Sequence, residues 1–357
     1  MIPLLRRLAL ANIIANVAIV VTGGAVRLTG SGLGCPTWPK CTDASYTPNG
    51  EMGIHGVIEF SNRMLGWVVG AVALAVLVAA YLHFRRTRTA EARRLMLLSL
   101  GVFLGIPAQG VVGGITVLTD LNPWVVGLHF LASIGVLAAC YALWRRTVDG
   151  GGPRRAAASA PVRQLVAVLT AVSLAVIALG VVVTGSGPHA GDVDAHRTGL
   201  DPETISQVHA DVVFLLIGLS LAVWFTARAM GARRTARAAL VLVVVELSQG
   251  LIGFVQYFTG LPEVLVGFHM LGATLVWLAT LAVLWSTRAS GGGDGAGEAL
   301  GGTGGHAQEE RGLGELQLDQ GGRTAVVGHQ VDPRVEEPVA AARHGVESPL
   351  GDCQLGR

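Results

Sequence analysis

The chain has 357 residues, 51% of them hydrophobic and only 14% charged, with 26 Lys and Arg against 24 Asp and Glu for a formal net charge of +2. Soluble domains carry roughly 25% charged residues. That deficit, a mean hydropathy of +0.55 and apolar runs long enough to cross a hydrocarbon core of about 30 Å place the chain in a lipid bilayer. They exclude a soluble enzyme, a nucleic-acid-binding protein and a secreted disulfide scaffold.

Taken in chain order, the apolar runs predict eight spans, at 8–27, 57–82, 95–118, 123–144, 162–184, 205–227, 238–258 and 264–286. The first is read as a retained span, because Gly23, Gly24 and Arg27 follow it without a small-residue cleavage site and it is too long for a signal-peptide core. Arginines crowd the chain before span one (Arg6, Arg7) and the second, fourth and sixth connections, among them Arg85, Arg86, Arg145, Arg146, Arg233 and Arg234. The odd connections hold only Arg27, Lys40 and Arg197, with Arg63 just inside span two. The positive-inside rule sets the arginine-rich side in the cytoplasm of a plasma-membrane protein, with both termini there. Residues 289–357 are Gly-rich and aperiodic and read as a disordered cytoplasmic tail.

The two halves echo each other. Gln109-Gly110-Val111-Val112-Gly113 returns as Gln249-Gly250-Leu251-Ile252-Gly253, Leu128-His129-Phe130-Leu131 as Phe268-His269-Met270-Leu271, and Val21-Thr22-Gly23-Gly24 as Val183-Thr184-Gly185-Ser186. The expected fold is an all-α integral membrane protein of two tandem four-helix bundles, over 1–150 and 151–288, related by an internal repeat about an axis along the membrane normal.

Ionisable residues within spans are costly in lipid, so each needs a reason. His129, His209 and His269 fall at similar depth in the outer half of spans four, six and eight, and Asn62 holds the corresponding place in span two. One such histidine is as often a packing residue as a ligand; three at matched depth favour ligation. Imidazoles projecting inward from facing helices hold haem iron. Zinc would require three or four close ligands, and only His209 and His269 fit in the second half. Gly127, Gly267 and Gly272, beside the histidines, are the small residues that would let a macrocycle approach, although small residues also serve ordinary helix packing.

In span two, Glu59 and Asn62 share a helix face and Arg63, four residues after Glu59, is placed to pair with it. Either the pair holds helices together or Glu59 is a carboxylate at a haem edge that moves protons. Cys35 and Cys41 lie in a short Pro-containing outer loop, where a disulfide would persist as a staple or as a redox group. Cys140, near the inner end of span four, reads as packing. Arg27, at the outer interface, either pairs with haem propionates or snorkels to headgroups. His189 and His196 are candidates for a lid over the second half, His55 for the outer mouth of the first; His83 reads as interfacial.

Together, the run Gly23-Gly24-Ala25-Val26-Arg27-Leu28-Thr29-Gly30-Ser31-Gly32-Leu33-Gly34-Cys35-Pro36, the paired loop cysteines, the Glu59 motif and the repeated histidines resemble the heme A synthase family over about residues 5–288. The resemblance implies a membrane oxidoreductase that oxidises the C8 methyl of haem O to a formyl group by successive hydroxylations, with haem b as a second prosthetic group. It implies that His209 and His269 ligate haem b, that His129 is a haem ligand of the first half, that Glu59 is the essential carboxylate, and that Cys35 and Cys41 are the family's paired loop cysteines. The implied partners are haem O, haem O synthase with the cytochrome c oxidase assembly machinery, an unidentified electron donor and the lipid bilayer, with no nucleic acid.

Two positions depart from the family's pattern. Asn62 stands where many members have His, and the second outer loop lacks cysteines. A haem with two His ligands is closed and suits electron transfer, whereas oxygen activation needs a free position on iron. The residues therefore suggest that His209 and His269 close haem b while His129 alone holds the substrate haem, leaving an open face near Asn62 and Glu59. His55 swinging in as a ligand is the rival. A diheme electron-transfer protein and a transporter are the alternative functions.

Overall fold

The computed structural model describes residues 1–150 and 154–290. Its eight long helices are α1 (Ile2–Leu28), α2 (Gly53–Thr87), α3 (Ala90–Leu118), α4 (Pro123–Val148), α5 (Ala160–Ser186), α6 (Pro202–Ala229), α7 (Arg233–Phe258) and α8 (Glu263–Ser286). Each contains a window apolar enough to cross a membrane, so all eight predicted spans are present. The helices overrun the apolar runs because polar flanks continue the backbone ladder to defined caps. Thr89 accepts from the Ala92 N–H, Asn122 from the Trp124 N–H, and Asp201 from the Thr204 N–H. Proline in the first turn of α1, α4, α5 and α6 supplies the helical φ without wasting a donor. The Asp201 carboxylate also accepts from the Thr204 hydroxyl, and these bonds hold it below the usual carboxylate range.

Helices α1 to α4 pack in succession, with α1 closing on α4. Helices α5 to α8 do the same, with α5 closing on α8. The two rings meet through α1 against α8 and through α4 against α5 and α8. Gly24 permits the first of these approaches, because a Cβ there would stand 2.6 Å from the Met270 thioether. The seam between the rings is apolar, built from Ile134, Leu137, Tyr141, Ile177, Trp277 and Leu281. Directional ties cross it as well: the Trp277 indole donates to the Ile134 carbonyl at 3.1 Å and the Trp285 indole to the Asp149 carboxylate at 2.5 Å.

The close-packed cores lie toward the arginine-rich end. Leu5, Ala9, Val76, Leu95 and Leu143 fill the first ring there, and Val162, Val166, Leu216, Val223, Leu242 and Val283 fill the second. The opposite end, where the cysteine loop lies, holds the open space described below.

The sequence did not reveal a short antiparallel ribbon, β1 (Arg154–Ala156) with β2 (Arg288–Ser290), in the register Arg155↔Ala289. It pairs the link between the rings with the chain leaving α8. Residues 289 and 290 were expected to belong to the disordered tail; they are strand because residues 154–156, remote in sequence, satisfy their backbone groups. The rest of the expected tail, 291–357, lies outside the described residues.

Candidate functional site

A cavity of about 1940 Å³ occupies the cysteine-loop end and is lined by residues of both rings. A single small ligand takes roughly 300–1,000 Å³, so this space suits more than one ligand or a very large one.

His129, His209 and His269 all line it. They lie six, seven and six residues past the first residues of α4, α6 and α8, so helix rise alone sets them at one depth, roughly 9–10 Å from those ends. Each imidazole rests on a glycine of the preceding helix. A Cβ would stand 3.4 Å from His129 Cε1 if built on Gly113, 3.2 Å from His209 Cε1 on Gly180, and 3.1 Å from His269 Cε1 on Gly253. Gly23 stands in the same relation to Asn62, with a Cβ position 3.8 Å from its Nδ2. These four glycines fall five or six residues before the ends of α1, α3, α5 and α7.

Of the glycines expected beside the histidines, Gly127 lines the cavity, whereas Gly267 and Gly272 do not. Gly127 packs on Val181, Gly267 faces Leu28, and Gly272 is filled by the Gln249 side chain. All three also make helix contacts, the packing role that the sequence left open for them. The legible signal was elsewhere, in the glycines near the C-terminal ends of the odd-numbered helices. Gln249, also unassigned from the sequence, donates to the His269 carbonyl at 2.7 Å and lines the cavity.

Asn62 accepts from the Thr22 hydroxyl at 2.7 Å and borders the same space. One turn earlier, Glu59 is buried with both carboxylate oxygens engaged. Its Oε1 accepts from Arg63 Nε at 3.1 Å and Nη2 at 2.5 Å, and its Oε2 from the Cys35 N–H at 2.5 Å. Arg63 then donates to the carbonyls of Cys35, Thr37 and Lys40. The pair thus grips the cysteine loop, where the sequence suggested only helix-to-helix pairing or proton transfer. Within that loop Cys35 and Cys41 are joined as a disulfide and fully buried. Trp38, held by the same loop, lies directly on Gly114 of α3, where any side chain would collide with the indole, and roofs the first-ring part of the cavity. No motif in the sequence marks Trp38 for this place.

Arg27 lines the cavity and donates to protein, from Nε to the His189 carbonyl at 2.6 Å and from Nη2 to the Thr184 carbonyl at 2.8 Å. It ties α1 to the end of α5 and to the α5–α6 loop, a role beyond propionate pairing or snorkelling. His189 bonds the Leu261 carbonyl at 2.8 Å, and His196 is exposed. His55 is exposed, bonded to Ser31 at 2.9 Å, and not among the lining residues. Cys140 is buried and accepts from the Asn12 amide.

The donor set fits haem. Among the described residues no three His, Cys, Asp or Glu side chains gather as a metal-ion site, so a bare ion would lack ligands. A porphyrin brings four nitrogens of its own and needs only one or two imidazoles. His209 and His269 border the same cavity from α6 and α8. The buried Nδ1 atoms of all three histidines have no hydrogen-bond partner of normal geometry. The walls are largely apolar and the glycines leave the rings flat ground to stand on.

The COX15-CtaA model, described as cytochrome oxidase assembly protein, matches residues 6–191, more than half of the chain. The chain belongs to the COX15-CtaA family. That match takes in Arg27, Cys35, Cys41, Glu59, Asn62 and His129, while His209 and His269 lie beyond it. Among curated relatives, the heme A synthase of Alkalihalophilus pseudofirmus is 30% identical over 138 residues, 38% of this chain and 44% of that protein. Those of Symbiobacterium thermophilum and Shouchella clausii are each 31% identical, over 43% and 42% of this chain and 47% and 48% of theirs. The chain spans about half the length of the curated relatives it matches.

Proposed function

We propose that this family member is a haem A synthase of the plasma membrane, oxidising the C8 methyl of haem O to a formyl group by successive hydroxylations. The observation that carries the reading is the set of three histidines at one depth, each on a glycine of the preceding helix, around one cavity whose fourth matching position is Asn62. Four histidines would suit two closed electron-transfer haems; three leave one position free.

In this reading His209 and His269 hold haem b in the second ring, and His129 holds the substrate haem in the first. The bound haem supplies redox chemistry at iron that no side chain of this protein can supply. The protein's own residues bind and orient. Asn62, fixed by Thr22, presents an amide to the open side. Glu59, with Arg63, fixes the cysteine loop, and Trp38 on Gly114 excludes water from the first-ring space. Glu59 also borders the cavity, where its carboxylate is placed to exchange protons with a substrate. The arginine-rich end faces the cytoplasm, with both termini there, and the cysteine loop faces outward, where a disulfide persists. Haem O synthase supplies the substrate, the oxidase assembly machinery receives the product, and an unidentified donor supplies electrons.

The test is to express the full chain in membranes supplied with haem O, purify it in detergent and identify the extracted haems by chromatography and mass. Haem B together with haem A or its hydroxylated precursor is the expected result. Unmodified haem B alone would replace the reading with electron transfer, and a colourless protein would favour a transporter.

A further inference from the structure

One buried acid is used by nothing above. Glu246, midway along α7, is 3% exposed. Its Oε1 accepts from the Ser220 hydroxyl of α6 at 2.8 Å, and its Oε2 is buried without a partner. It does not line the cavity. It sits three residues before Gln249, which bonds the backbone of His269, and seven before Gly253, on which the His269 ring rests. Helix rise sets it roughly 10 Å from that glycine along the axis, on the side of the packed core.

The charges around it are remote. Helix α7 packs against α6 and α8. On α6 the charged or titratable groups are Glu203, His209, Asp211 and Arg228; on α8 they are Glu263 and His269; on α7 itself, Arg233, Arg234, Arg237 and Tyr257. Of these only His209 and His269 are not exposed. The nearest arginine on its own helix, Arg237, is nine residues away, roughly 13 Å of rise. An intramembrane carboxyl without a salt-bridge partner is costly and marks function by default. The first ring has no counterpart: the sequence echo matches Glu246 to Ile106 and Ser220 to Ala73. The polar pair therefore belongs to whatever distinguishes the second ring.

We propose that Glu246 is a redox-linked proton acceptor for the group held between His209 and His269. This rests on the reading that those histidines ligate haem b. When a one-electron reductant converts ferric to ferrous iron, the site loses one positive charge. Glu246 then takes a proton from water, forming a carboxyl O–H bond, and releases it on reoxidation. Through-space coupling over this distance in a low-dielectric interior needs no contact between carboxyl and haem. Ser220 donates to the carboxylate in its charged form and so positions it.

The test is a redox titration of the full-length protein carrying haem B, followed by its absorption at several pH values, for the native chain, Glu246→Gln and Ser220→Ala. Glutamine keeps the bond from Ser220 and removes the proton site. The expected result is an unchanged haem spectrum in Glu246→Gln, with a midpoint potential that falls less steeply with rising pH than in the native chain and lies above it at high pH. Redox-difference infrared spectra should show a deuterium-sensitive carboxyl band that Glu246→Gln loses and Ser220→Ala shifts. Equal pH slopes in native and Glu246→Gln protein, or a band that survives the substitution, would overturn the inference while leaving the function reading intact. Native protein that binds no haem B would overturn both.

Discussion

The two rings share helix order, histidine depth and the glycine beneath each ring, yet they finish the plan differently. The first ring has Asn62 where the second has an imidazole, and a long outer loop roofed by Trp38 and gripped by Glu59 and Arg63. The second ring has two histidines, a shorter loop tied down through His189 and Arg27, and a buried acid on its core side. Two rings of like helix order thus present different side chains to one cavity. The difference lies in a few side chains on a common backbone, which is the usual way a fold acquires distinct sites.

The largest effect should come from removing the second-ring histidines. His269→Ala and His209→Ala are expected to abolish bound haem b, read from the absorption spectrum of purified protein, whereas His129→Ala should keep it and lose turnover. Haem b retained in both second-ring variants would end the distinction drawn between the rings. Next is the clamp on the first-ring loop. Glu59→Ala leaves the half-buried Arg63 without its carboxylate and the Cys35 N–H without its acceptor, a loss expected to cost about 1–3 kcal/mol, seen as a lower detergent melting temperature and faster hydrogen exchange at the Cys35 amide. A double substitution with Arg63→Met should recover part of that loss; no recovery would mean the pair is not the clamp.

Overpacking under a ring is a more local perturbation. Gly253→Ala places a methyl 3.1 Å from His269 Cε1, and forcing the ring aside should cost about 1–3 kcal/mol with a shifted second-ring haem spectrum. Gly113→Ala has more room, 3.4 Å, and should leave that spectrum unchanged. The mildest and most informative change is Asn62→His, which makes the rings alike. It should give a second closed haem and at least a tenfold drop in turnover, about 1.4 kcal/mol. Normal or raised turnover would remove Asn62 as the reason the first site is open.

Much of this was legible in the residues. Eight spans, their arginine-rich connections and three intramembrane histidines follow from composition and position, because an apolar run of this length satisfies its backbone in lipid as a helix and every charge there has a cost. Equal depth could be counted off the sequence, since helix rise is constant. Two kinds of information could not. Which glycine faces which histidine depends on the rotation of neighbouring helices; Gly272, three residues from His269, is spent on Gln249, while Gly253 on another helix meets the ring. The destinations of Arg27 and Arg63 depend on loops whose carbonyls are placed by packing against remote elements, so their partners carry no sequence periodicity. The ribbon of 154–156 with 288–290 is of the same kind.

The sequence by itself determined that this chain crosses a membrane eight times and lays imidazoles at one depth, because hydropathy and helix rise are local properties. Only the tertiary structure decided that those imidazoles border one cavity, that Glu59 grips the cysteine loop, and that Glu246 is buried with no salt bridge among the described residues. Each of these depends on how helices far apart in the chain are rotated and packed, and no local rule encodes that.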